Sequence, residues 1–231
     1  LIVGLHGWGR DRHDLTAALS GHAQMRVDLP GFGLSPRPSA PCGAAAYADW
    51  LAAALDEHGL AGPAVLVGHS RGGGVAVCLA AARPDLVRGL VLCGAPLLRD
   101  AGQGRPALGY RMARSARRAH LMPARRFEAM RRSRGSADYN AATGVMREIL
   151  VTVVNESYDA QLRAITCPVA LVWGSRDRAV PPAMADRASA LLAGPVTAEI
   201  VDGAGHDVHL LAPDRVSAAI GKVLAAGRVA P

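Results

Sequence analysis

The sequence predicts an α/β protein: a mostly parallel sheet with helices on both faces and a helical insertion. Three observations predict it. Short apolar runs alternate with helix-period stretches from Leu1 to Cys93 and again after Pro168, which is the pattern of strand–helix–strand units with right-handed crossovers. A Gly-x-Ser-x-Gly pentapeptide, Gly68-His69-Ser70-Arg71-Gly72, stands between one such apolar run and a run of small residues. Between them, residues 97–160 hold helical patterns but no strand pattern. A chain of 231 residues suffices for one large domain carrying an insertion. The expected division is a core of residues 1–96 and 161–231, with 97–160 as a helical cap.

Leu1-Ile2-Val3-Gly4-Leu5 is apolar throughout and predicts a buried, central strand. Asp11 to Ser20 carries a short helix pattern closed by Gly21. Met25 to Leu29 predicts a second strand, stopped by Pro30-Gly31. The Pro/Ser/Gly-rich stretch 35–43 predicts loop. Ala44 to His58 predicts a helix with Tyr47, Leu51, Ala54 and Leu55 on one face and Gly59 as its stop. Strand 64–67, helix 71–82 and strand 87–93 follow. Segments 106–120, 124–132 and 142–154 predict the helices of the insertion, split by Pro123 and by Gly135-Ser136. Strand 169–173, helix 182–193, strand 197–201 and helix 213–226 complete the order, the last with Val216, Ala219, Ile220 and Val223 inward. Strand 25–29 covers only one side of strand 1–5. Either further strands precede Leu1, or strand 25–29 is the sheet edge with strand 1–5 inside it.

Composition bounds the function. No apolar run approaches the roughly 18–20 residues of a membrane span. Cys42, Cys78, Cys93 and Cys167 are scattered, without a Cys-x-x-Cys or a His at ligand spacing. They predict reduced thiols, no metal and a cytoplasmic setting. The net charge of +7 is concentrated. Residues 99–134 hold eleven Arg against Asp100 and Glu128, which is +9, so the remainder carries −2.

The pentapeptide predicts a sharp strand-to-helix corner with Ser70 at its apex. Gly68 and Gly72 are needed because a Cβ at either would collide across the turn. The corner lifts the hydroxyl out of the sheet and sets it at a helix N-terminus, where backbone N–H groups favour developing negative charge. A serine hydroxyl needs a base within reach and a carboxylate to hold that base. In parallel sheets such groups collect just past the strand ends. His206 follows strand 197–201 and Asp177 follows strand 169–173, so Ser70, Asp177 and His206 are the expected catalytic set. His6, His69 and His209 are the rival bases, of which His6, just before the oxyanion loop, is expected to brace that loop. His69 should diverge from its neighbour Ser70, and His209 is the second choice. Asp100 is the rival acid, and Asp207 reads as a helix-start cap. The oxyanion donors are expected to be the backbone N–H groups of Arg71 and Trp8. His6, Gly7 and His69 are the substrate-binding candidates around them.

Five motifs stand in register: His6-Gly7-Trp8-Gly9, Asp28-Leu29-Pro30-Gly31-Phe32-Gly33-Leu34-Ser35, Gly68-His69-Ser70-Arg71-Gly72-Gly73, Trp173-Gly174-Ser175-Arg176-Asp177 and Gly203-Ala204-Gly205-His206. Together they resemble the α/β-hydrolase family over nearly the whole chain outside the insertion. The resemblance implies a Ser–His–Asp enzyme of the serine esterase branch, without cofactor, whose insertion caps the site. The first two motifs also resemble those of the pimeloyl-carrier-protein methyl ester esterase branch.

The expected activity is hydrolysis of a small-molecule carboxylic ester or thioester through an acyl-enzyme. Alternatives are C–C bond hydrolysis or another reaction of the same family, and a non-catalytic ligand receptor on the same fold. The basic balance alone suggests nucleic acid, and nothing else supports that partner. An acidic carrier protein is the partner that the Arg-rich insertion and the resemblance suggest together.

Overall fold

The computed structural model describes residues 1–59, 62–99, 108–134 and 136–227. Among the described residues six strands form one sheet: β1 (Ile2–Leu5), β2 (Gln24–Val27), β3 (Ala64–His69), β4 (Val87–Cys93), β5 (Val169–Gly174) and β6 (Val196–Val201). Their order is β2-β1-β3-β4-β5-β6, and every neighbouring pair is parallel. The four-residue β1 is buried throughout, and half-buried β2 is the edge outside it. Strand β1 therefore lies inside β2 among the described residues, as the apolar pattern of residues 1–5 requires of a buried strand.

Parallel strands bury both faces, and alternate side chains go to opposite sides. On one side Val3, Leu5, Leu66, Leu90 and Leu171 pack with α1 (Ala44–Glu57), α2 (Arg71–Ala82) and, further along the chain, α8 (Ala183–Ser189). On the other, Ile2, Val65, Val67, Val91 and Val172 pack with Leu15, Leu19 and α10 (Pro213–Ala226), which turns Val216, Ala219, Ile220 and Val223 inward.

Between β4 and β5 run α3 (Leu108–Arg118), α4 (Ala124–Arg134), α5 (Ala137–Ala141), α6 (Gly144–Val153) and α7 (Asp159–Ala164). Met146 and Ile149 of α6 and Leu162 of α7 join the first core, so these helices are packed onto the sheet domain. No described helix is long and apolar enough to cross a membrane. All four cysteines are free, and burial pushes the Cys78 and Cys93 thiols up to about 12.

Three expectations need correction. Residues 11–20 form a chain of turns instead of a helix. Asp14, Thr16 and Ser20 donate to carbonyls three residues back, and among these turn bonds only Leu19 N–H to Leu15 reaches four. The second strand stops at Val27 because the next two residues are engaged elsewhere. The Asp28 carboxylate accepts from the Arg12 and Leu34 N–H groups, and Leu29 N–H donates to His6. The helix expected over 182–193 ends at Ser189. The short helices α5, α7 and α9 (Val208–Leu211) carry too few residues for a periodic signal.

Candidate active site

Ser70 links β3 to α2 with φ 49° and ψ −118°, a conformation that L-residues rarely adopt. Such a backbone costs about 1–3 kcal/mol and persists only where the surroundings enforce it. Here they do. Ser70 N–H donates to the Cys93 carbonyl of the next strand at 2.8 Å, and Gly73 N–H donates back to Ser70 O at 3.0 Å. A Cβ on Gly68 would come within 2.7 Å of the Gly72 backbone, and one on Gly72 would strike the Leu5 carbonyl. The glycines are therefore there for close backbone approach.

The structure brings Ser70, His206 and Asp177 together. His206 Nε2 lies 3.0 Å from Ser70 Oγ, and His206 Nδ1 lies 2.8 Å from Asp177 Oδ2. Asp177 sits in the turn after β5 and is 4 % exposed. Its other oxygen accepts the N–H groups of Ala179 at 2.9 Å and Val180 at 2.8 Å. These bonds fix the side chain and leave Oδ2 for the imidazole. The His206 pKa is raised, because the Asp177 hydrogen bond and charge outweigh burial. Arg176 N–H to Ala204 O at 2.9 Å ties the aspartate turn to the histidine loop. The rival acid Asp100 lies outside the described residues.

The other histidines are placed elsewhere. His6 is buried: Nδ1 donates to Gly7 O at 2.7 Å, and Nε2 accepts Leu29 N–H at 2.9 Å, which fixes its tautomer. Burial keeps it neutral by lowering its pKa. Its ring meets Phe32 edge-on, and Phe32 meets Trp8 in the same way. His6 thus braces the loop after β1 from below.

His69 turns to the opposite side from Ser70. Its Nδ1 lies 3.2 Å from Asp14 Oδ2, and His209 Nε2 lies 3.0 Å from Asp14 Oδ1. Asp14 also accepts Gly7 N–H at 3.2 Å. Burial works to raise the Asp14 pKa, but the hydrogen bonds from His209 and His69 outweigh it and hold the carboxylate ionised. Burial lowers the His69 pKa and keeps that ring neutral. His209, 0 % exposed, is committed to Asp14 and does not reach Ser70. Nor does Asp207 cap α9 with its side chain. It pairs with Arg10 at 2.9 Å instead. This buried Asp14–His69–His209 group has no motif in the sequence. Its members are brought together from three distant segments.

A cavity of about 530 Å³ opens at Ser70, walled by Trp8, Arg71, Leu150, Tyr158 and His206 among others. Helix α6 and the Asn155–Tyr158 stretch contribute one side, so residues between β4 and β5 bound the space above the serine. His6, Gly7 and His69 are not among its walls. The His6 and His69 rings are packed beneath the site. Arg71 opens α2, so its N–H has no partner within the helix. Neither that N–H nor the Trp8 N–H meets an acceptor among the described residues. The Arg71 side chain, unlike its amide, was not marked by the motif, which fixes only the glycines and the serine.

Residues 2–219 match the model of the alpha/beta hydrolase family. The chain is 34% identical over 210 residues to the pimeloyl-[acyl-carrier protein] methyl ester esterase of Neisseria meningitidis serogroup B (strain H44/76), covering 79% of this chain and 76% of that protein. It is 35% identical over 189 residues to the lipase LipV of Mycobacterium tuberculosis, covering 78% of this chain and 69% of the lipase. A thermophilic esterase from Thermogutta terrifontis superposes with a TM-score of 0.71 at 24% identity, over 99% of this chain and 90% of its own.

Proposed function

The chain belongs to the alpha/beta hydrolase family and is an ester-cleaving hydrolase, and from that premise we propose that Ser70, His206 and Asp177 carry the reaction. The observation that supports this most directly is the continuous path from Ser70 Oγ through both imidazole nitrogens to a buried carboxylate. Ser70 Oγ attacks the carbonyl while His206 Nε2 takes its proton. The tetrahedral oxyanion is met by the N–H groups of Arg71 and Trp8. His206 returns the proton to the departing alcohol, and the acyl group remains on Ser70. A water, deprotonated by His206, then releases the acid and restores the hydroxyl. Asp177 stabilises the imidazolium and holds Nδ1 protonated throughout. The helices of residues 97–160 act in this reading as a cap that bounds the substrate.

A second, finer reading concerns the substrate's carrier. Arg118, Arg125 and Arg126 are exposed, and half-exposed Arg117 lies beside them in sequence. Glu128 and Asp100 are the only acidic residues in 99–134 against eleven Arg, and Glu128 pairs with Arg147 at 2.9 Å. Together with the carrier-protein esterase among the relatives, this supports an acidic carrier protein docking on these helices.

The test of the first reading is covalent. A fluorophosphonate probe should label the wild-type protein on Ser70, and Ser70→Ala should lose both labelling and ester turnover by about 10⁴-fold or more while remaining folded. Near-normal turnover in Ser70→Ala would end the reading, and with it the ester chemistry assigned to this cavity. A wild type that shows neither labelling nor esterase activity would favour the receptor alternative.

A further inference from the structure

The guanidinium of Arg71 is a buried charge without a hydrogen-bonding partner. The residue is 6 % exposed, and none of Nε, Nη1 and Nη2 has a hydrogen-bond acceptor among the described residues. It borders the cavity directly beside the nucleophile. The oxyanion role falls to its backbone and would be served by almost any side chain. What the side chain does there is a separate question.

Its surroundings hold the cation but leave its donors unused. The guanidinium carbon lies 4.1 Å from the centre of the Tyr47 ring and 4.9 Å from that of Trp8. Aromatic faces attract the positive charge and fix the group's position. They offer nothing to the in-plane N–H groups. The carboxylate whose charge acts on it is that of Glu156. Both Glu156 oxygens are engaged elsewhere, by Ala44 N–H at 3.2 and 3.1 Å and by the Tyr158 hydroxyl at 2.8 Å. The phenols of Tyr47 and Tyr158 and the Cys42 thiol complete the groups that face it. The Tyr47 hydroxyl is itself committed to the Pro30 carbonyl at 2.9 Å. A desolvated cation with idle donors is unfavourable unless something supplies the missing acceptors. A guanidinium held by its face presents a planar fork of N–H donors, and the group that matches that fork is a carboxylate bound through both oxygens.

We propose that Arg71 is the anchor for an ionised carboxylate on the substrate, so that the preferred substrates are esters carrying a second, free carboxyl group. The proposal rests on the ester-hydrolase reading of the same cavity and does not depend on the carrier reading. The substrate's carboxylate enters between the aromatic rings and the serine, completes the hydrogen bonds of the guanidinium, and sets the distance to the scissile carbonyl. Arg71 is in this respect a specificity determinant as well as the owner of a backbone donor.

The experiment compares kcat/KM for three esters. 4-Nitrophenyl hexanoate is neutral. 4-Nitrophenyl hydrogen adipate has the same chain length with a carboxylate at its acyl end. 3-Carboxyphenyl hexanoate carries the charge on the leaving group. In the wild type one of the two charged esters should exceed the neutral one by at least tenfold, and the one that does tells which half of the substrate meets Arg71. Arg71→Met should lower that charged-to-neutral ratio by at least tenfold. The ratio is read within each protein, so a general change in rate does not affect it. In the wild type alone, adipate should inhibit competitively at a concentration at least tenfold below that of 1,6-hexanediol. That measurement stands even if the variant does not fold. An unchanged ratio in Arg71→Met, or equal inhibition by the dianion and the diol, would overturn the anchor. If the neutral ester is still cleaved in a Ser70-dependent way, the ester-hydrolase reading survives that result. If cleavage of the neutral ester does not need Ser70, the reading beneath the anchor has failed instead.

Discussion

The ring centroids of His69 and His206 lie 5.1 Å apart, yet the two imidazoles belong to separate hydrogen-bond systems. His206 bridges a carboxylate and a hydroxyl at the edge of a cavity. His69 is sealed against Asp14 and stacked 3.8 Å from His209. The difference follows from the corner at Ser70, where successive residues point to opposite sides. The same turn that exposes the nucleophile drives the preceding side chain into the core. One aspartate therefore holds the imidazole that faces Ser70, and the other holds the loop that carries Gly7.

Asp177→Asn should cost about 10³–10⁴-fold in kcat, less than loss of Ser70, because the base remains but its tautomer and orientation do not. The pH profile gives a sharper sign. His206 acts as a base only when neutral, and the Asp177 hydrogen bond raises its pKa above the usual imidazole value of about 6.5. The acid limb of kcat/KM in the wild type should therefore lie above pH 6.5, and in Asp177→Asn it should move down. A limb that stays in place would remove Asp177 from the assignment.

Stability should depend on pH through the same groups with opposite signs. His6 and His69 have lowered pKa values in the folded protein. Below about pH 6.5 the unfolded chain takes up protons there that the native state refuses, so their contribution falls as the pH falls. His206 is raised, so its contribution is fully present below about pH 6.5 and is lost as the pH rises through its folded value. Urea midpoints measured between pH 7 and pH 5 should fall, and they should fall more steeply in Asp177→Asn, which loses the opposing effect of His206. A flatter fall in the variant would contradict these assignments.

The buried place of β1, the corner and the three loops that meet at Ser70 were legible in the sequence, because each depends on local pattern. Apolar runs mark buried strands, and Gly68 and Gly72 mark a backbone crossing that no side chain permits. What it did not contain depends on distance. Asp14, His69 and His209 are separated by most of the chain, and no spacing rule links them. Residues 11–20 had the apolar period of a helix, but Leu15 and Leu19 reach the core equally well from turns. Asp207 had the look of a cap, but an arginine from another segment takes its carboxylate. His6 precedes the loop expected to supply an oxyanion donor and His69 precedes Ser70, and those places in the motifs suggest contact with substrate. The core claims both rings instead.

Asp14→Asn should destabilise the fold by about 2–4 kcal/mol, since a buried carboxylate accepting three N–H groups is replaced by an amide that must present donors to donors. It should also slow turnover, because Gly7 N–H loses its acceptor and the oxyanion loop loosens. Chemical denaturation and kcat on a neutral ester are the readouts. A stable variant with normal kcat would show that the group has neither effect.

Gly94 lies after β4 with φ 53°, and a Cβ there would stand 3.2 Å from both Asp177 Oδ2 and His206 Nδ1. Gly94→Ala should therefore push apart the pair that holds the base. The expected loss is about 10–100-fold in kcat, the scale of a small misplacement in a positioned group, with about 1–2 kcal/mol of stability lost to the backbone. KM should change little. Loss of stability without loss of kcat would show that the contact is not transmitted to His206.

The last prediction concerns the Arg-rich helices. Clustered like charges raise the encounter rate of an oppositely charged partner, and salt removes the effect over a Debye length of about 10 Å at 0.1 M. Replacing Arg117, Arg118 and Arg125 together by Ala removes three charges from α3 and α4, and none of the three belongs to the cavity wall. If an acidic carrier protein docks there, kcat/KM on a carrier-linked methyl ester should fall about tenfold or more at low salt, and the gap to wild type should close as salt is raised. On 4-nitrophenyl hexanoate the same variant should match wild type at every salt concentration. The carrier reading requires the two substrates to part company. Equal losses on both would place these arginines in the folding of the cap, and no loss on either would leave them as solvated surface. Because the anchor at Arg71 lies inside the cavity, its charged-to-neutral ratio should be unaltered in this triple variant, so the two anionic contacts can be separated by experiment.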